Sequence, residues 1–152
     1  MKNLIKTISS LTLMVILSGC PSQKEVQEIV TDISAKKANT MQVISTSDYS
    51  LDGLLKAQDY FFNFGEKISM VVGDPEGLKN LQRMVKKDGI SKFCQNFVVP
   101  KRFWDSLEMF CKGGRMYRCS PDIKEYPNTL NKMLELLGPE VKAAFDQDQQ
   151  CR

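Results

Sequence analysis

Histidine is absent from all 152 residues. Its absence removes the commonest general base, the commonest protein metal ligand and the usual proton switch near neutral pH. Nucleophilic catalysis would have to pair serine with lysine or with a carboxylate, and no such pair sits in a recognisable nucleophile turn. Ser91-Lys92 and Ser120 read instead as helix caps. No apolar run reaches the roughly twenty residues a membrane-spanning helix requires. Sustained apolar/polar alternation bounded by hairpin turns is also missing, which argues against a β fold, and there is no internal repeat. Asp146-Gln147-Asp148 opens like a calcium loop, but Cys151 stands where the turn glycine belongs and the bidentate glutamate is lacking. Gly113-Gly114-Arg115 could present amides to an anion, yet it lacks the lysine and hydroxyl of a phosphate loop. With 42% hydrophobic and 26% charged residues, what remains is the composition of one folded domain.

The first twenty residues carry an address. Lys2 and Lys6 precede a mostly apolar stretch, Ile8 to Leu17, that has the length of a signal-peptide core. It ends Leu17-Ser18-Gly19-Cys20: an aliphatic residue, two small residues and a cysteine. This stretch resembles the lipobox of bacterial lipoproteins. The resemblance implies cleavage before Cys20, a thioether-linked diacylglycerol plus an N-acyl chain on that residue, and stable membrane attachment, because two or more acyl chains hold where one does not. Pro21 and Ser22 follow in place of the aspartate that retains enterobacterial lipoproteins in the inner membrane, so the expected site is the outer membrane, facing the periplasm. Loss of residues 1–19 leaves 133.

Four further cysteines remain in an exported chain: Cys94, Cys111, Cys119 and Cys151. An even number on the oxidising side of a membrane predicts disulfides. Three pairings are open. A chain reversal at Gly113-Gly114 favours Cys111 with Cys119, which leaves Cys94 for Cys151. A four-cysteine zinc site is disfavoured because its ligands come in pairs two to four residues apart, a spacing not found here. No cofactor is expected.

Charge is distributed unevenly. Residues 79–118 hold ten basic and three acidic side chains, whereas residues 20–78 hold five and nine, and residues 119–152 four and six. Arg83, Lys86 and Lys87 share one helix face by their three- and four-residue spacing. Together with Lys101, Arg102, Arg115 and Arg118 they form the candidate patch for an anionic partner. Nucleic acid is not the expected partner in this compartment.

Helical stripes fill the rest. Val26, Ile29, Val30 and Ile33 fit one stripe, but residues 34–50 are rich in Ser, Thr and Asn without a period. Residues 20–46 are therefore expected to be a lipidated N-terminus and flexible tether, with the folded domain spanning 47–152. Within it, Ser50 or Asp48 caps a helix carrying Leu51, Leu54, Leu55, Phe61 and Phe62 toward Gly73. Asp74-Pro75-Glu76 starts another, which Asp88-Gly89 ends. Ser91 opens a short piece. A helix from Pro100 bearing Phe103, Trp104, Leu107 and Phe110 is expected to be the central core helix. Ser120-Pro121-Asp122 and Tyr126-Pro127-Asn128 supply two more start signals, and Gly138-Pro139-Glu140 restarts the chain. The expectation is an all-α bundle of five or six short helices, tied by disulfides. The functional expectation is a non-enzymatic lipoprotein, anchored in the membrane and serving as a binding or accessory subunit of an envelope assembly such as a secretion, conjugation or exclusion system. The alternative is an envelope enzyme or enzyme inhibitor working through carboxylates.

Overall fold

Every third or fourth side chain from Val26 to Ile44 is buried, so the chain is folded almost from Cys20 onward. A computed structural model describes residues 20–112 and 119–152; the expected leader 1–19, Gly113-Gly114-Arg115 and Arg118 lie outside the described residues. Among those described, the elements are α1 (Gln23–Ser45), α2 (Leu51–Gly73), α3 (Pro75–Asp88), α4 (Ile90–Phe97), α5 (Lys101–Lys112), α6 (Pro121–Leu137), α7 (Pro139–Gln147) and a 3-10 turn (Gln149–Cys151). The fold is all-α: the six α-helices after residue 47, α2 to α7, match the expected five or six, α1 precedes them, and two of the seven have 23 residues.

Helix α1 corrects the expected tether. Ser22 and Glu25 form a reciprocal capping box at its start. Val26, Val30, Ile33, Lys37, Thr40 and Ile44 then line its inner face, two of them polar. Thr40 donates its hydroxyl to the Ala57 carbonyl of α2, and the Lys37 ammonium donates to the carbonyls of Cys94 and Gln95 at the end of α4. Lys67 of α2 pairs with Asp32, and Lys36 with Asp59. These pairs set α1 and α2 antiparallel.

Helix α2, not α5, is central. It packs against α1, α3 and α6 and buries Leu54, Tyr60, Phe61, Phe64, Ile68 and Val71, while Leu51, Leu55 and Phe62 of its expected stripe face solvent. Helix α5 fully buries only Leu107 and Cys111, and Phe103, Trp104 and Phe110 are half-buried. Phe61 and Phe64 meet Tyr126 near the start of α6, while Ile68 and Val72 share a cleft with Met133 and Leu136 near its end, so α2 and α6 run in the same direction. Tyr126 also fixes the α4–α5 connection: its hydroxyl donates to the Phe97 carbonyl and accepts from the Val99 amide.

Pro127 does not start a helix; it lies inside α6. A proline there has no amide hydrogen for the carbonyl four residues back, which belongs to Ile123. The indole nitrogen of Trp104 donates to that carbonyl at 3.3 Å and so joins α5 to α6. Gly89 (φ +85°) and Gly138 (φ +111°) make the turns into α4 and α7 in backbone conformations that L side chains rarely adopt. The disulfides are Cys94–Cys151 and Cys111–Cys119, the pairing favoured by the chain reversal.

Candidate functional site

The site of interest begins where the described chain begins. Cys20 is exposed and is the one cysteine without a disulfide partner. The residue after it is held firmly. The Pro21 carbonyl accepts a hydrogen bond from Asn80 Nδ2 at 3.2 Å, and Pro21 packs over Gly77 of α3, where an added Cβ would come within 2.8 Å of Pro21 Cγ and 2.4 Å of the Val71 carbonyl. Asn80 is buried, and Arg83 Nη1 donates to its Oδ1 at 3.1 Å, so the guanidinium orients the amide that holds Pro21. On the other side, the Ser22 amide donates to Glu25 Oε2 at 2.6 Å and the Ser22 hydroxyl accepts from the Glu25 amide. The Ser22 amide first, and then the Ser22 side chain, hold the Glu25 carboxyl below its ordinary value. Gly77 can sit there because it lacks a side chain. Pro21 and Ser22 are therefore a fixed root between α1 and α3.

Cys20 lines an open groove of about 670 Å³ whose walls include Pro21, Ile29, Met70 and Val71 from three segments. Asp74, which also lines it, is engaged as the N-cap of α3, accepting from the Gly77 amide at 2.8 Å. Glu28 pairs with Lys24 at 3.7 Å.

A second, lateral groove of about 630 Å³ lies between α5, α6, α7 and the C-terminal turn. Its apolar lining comes from Val98, Trp104, Tyr126, Leu130, Leu134 and Phe145. Lys101, Asn131, Lys142, Asp146 and Arg152 are its hydrophilic members. Lys101 contacts both oxygens of Asp105, Lys142 lies 3.6 Å from Glu135, and Arg152 Nη2 donates to the Asp146 carbonyl. Burial pushes the Tyr126 phenol up to about 12, so it remains a neutral donor at any physiological pH. Asp146 is the one acidic side chain among the lining residues described, so no converging carboxylate pair is formed there. No cluster of three or more metal-ligating side chains occurs among the described residues.

The described residues of the expected basic patch come from two helices. Arg83, Lys86 and Lys87 are exposed on α3, which packs against α1, α2, α4 and α6, whereas Lys101 and Arg102 are on α5, which packs against α1. Arg83 also lies 3.6 Å from Glu76, and Arg102 stacks over Phe103, with its guanidinium carbon 4.6 Å from the ring centroid. Lys86 and Lys87 have no ion-pair partner among the described residues. Arg115 and Arg118 fall outside them.

The sequence pointed to Cys20, whereas Trp104 was expected in the core. It gave no sign of the Pro21–Gly77–Asn80 contact, because Pro21 is more than fifty positions from Gly77 and Asn80 and only packing joins them. Among the described residues no helix is long and apolar enough to cross a membrane. No protein family, curated protein or solved structure was found to match the chain.

Proposed function

We propose that this protein is an envelope lipoprotein, anchored through acyl chains on Cys20 in the outer membrane and facing the periplasm, whose helical domain is a non-enzymatic binding or accessory subunit of an envelope assembly. The observation that carries this reading is Cys20 itself: free and exposed while the other four cysteines pair, and joined without slack to a helix start. An unpaired, exposed thiol two residues before the N-cap of α1 is placed for modification, and the sequence before it resembles the modification signal. The lateral groove, apolar and bounded by charged side chains, supports the binding role, since concave apolar sites with a few polar groups are where proteins take ligands and partner segments.

Detergent phase partitioning of the native protein and of Cys20→Ser tests the anchor. The wild type is expected in the detergent phase, with an N-terminal peptide whose mass includes the lipid. The variant is expected in the aqueous phase. Equal partitioning overturns the anchor. A photocrosslinking residue in place of Asn131, beside the lateral groove, tests the binding role in intact membranes, with Gln27 on α1 as the comparison position. A discrete adduct is expected at 131 and not at 27; absence of any adduct at 131 removes the groove as the docking site.

A further inference from the structure

We propose that the groove beside Cys20 is the seat of the group attached to its own sulfur: the glyceryl and first methylenes of the anchor lie along Met70, Ile29 and Val71 before the chains enter the bilayer. This rests on the lipid-anchor reading and adds where the lipid runs.

Three observations point to this occupant. Cys20 is itself part of the groove wall, so a substituent on its sulfur starts at the groove. The next residue cannot swing away, because Pro21 is held by Asn80 and packed on Gly77, and Ser22 is locked in the capping box. The surface reached first is apolar and open. Met70 is 67% exposed while the neighbouring Val71 is 1% exposed, and a Cβ added at Gly73 would meet nothing within 4 Å. An alkyl chain over Met70 would remove that exposed surface from water, where burial of apolar area is favourable. Glu25, Glu28 and Asp74 are also in the lining, and each carboxylate has a partner of its own: the Ser22 amide, Lys24 and the Gly77 amide.

Met109 provides the reference for a test. It is 68% exposed on α5, outside the groove, so Met70 and Met109 should oxidise at similar rates when nothing covers either. The mature chain from Cys20, which contains the whole described fold, is alkylated at its one free thiol with N-octyl maleimide, or with N-methyl maleimide as control. It is then oxidised with dilute peroxide without detergent and read by peptide mass spectrometry. The octyl adduct is expected to lower the Met70/Met109 rate ratio at least about threefold relative to the methyl adduct, since sulfoxide formation follows exposure. Ser69→Glu, which adds a further carboxylate at an exposed position next to Met70, is expected to abolish that protection.

Equal ratios for the two adducts overturn the proposal. So does protection that survives Ser69→Glu, or protection of the methyl adduct that grows with protein concentration, which would assign the groove to a second copy. Failure of the anchor reading shows separately, as a native N-terminal peptide without lipid mass.

Discussion

Lys37 shows how a residue can be polar, ionisable and still part of a core. Its side chain is 9% exposed, and the ammonium donates to two carbonyls at the C-terminal end of α4, the negative end of the helix dipole; the Cys94 carbonyl also accepts the Val98 amide. No carboxylate compensates its burial, which pushes its pKa down to about 8. In the unfolded chain a lysine titrates near about 10.4, so between these values the unfolded state holds more proton than the folded one, and stability rises with pH. That contribution is complete above the unfolded value and is lost as pH falls through the folded one. The buried Tyr126 phenol behaves oppositely. Its folded value of about 12 lies above the ordinary one, so its contribution is present below about pH 10 and is lost above it. In a Cys20→Ser background, which removes a thiolate able to exchange with the disulfides, the thermal midpoint is expected to climb from pH 8 toward pH 10 and then fall. Lys37→Met should remove the climb and keep the fall; a climb that persists in the variant would show that another group drives it.

At the scale of elements, α1 separates a folded N-terminus from a tether by one measurement. Ile33 is fully buried, so Ile33→Ala is expected to lower unfolding free energy by about 2–5 kcal/mol in urea titrations, whereas a tether residue would change it by less than about 0.5 kcal/mol. Helix starts and stops were legible where one residue supplies the cause: Ser50, Asp74 and Ser120 cap their helices through side-chain oxygens, and Gly89 and Gly138 end theirs. The stripe of α1 could be followed from Val26 to Ile33 and was lost at Lys37 and Thr40, because the partners that make polar side chains acceptable there are carbonyls on α4 and α2. Pro127 was misread for the same reason. The donor that satisfies Ile123 comes from α5, not from the local chain. The aromatic stripe of α5 suggested a central helix, but spacing tells which side chains share a face and not how deeply that face is covered. The groove beside Cys20 was illegible for a related reason, since its walls converge from segments about fifty residues apart.

Across the whole molecule, the two disulfides divide the stabilisation unequally. Cys94–Cys151 closes 57 residues and brings the C-terminal turn against α4, whereas Cys111–Cys119 closes 8. On chain-entropy grounds, replacing both members of the first pair by serine should cost about 4 kcal/mol and both members of the second about 2.5 kcal/mol. Denaturant midpoints of the two double variants check the order, and a larger loss from the short loop would refute it. The first loss should also open the lateral groove, since Cys151 and Arg152 form part of its wall and Arg152 accepts the Lys101 amide. The rigid Pro21 junction has a consequence for geography. On the lipid-anchor proposal this domain has no leash: a body of its size, with a radius of gyration of roughly 14 Å, would have to meet its counterpart within a few nanometres of the bilayer. Anything deeper in the periplasm would have to descend to it.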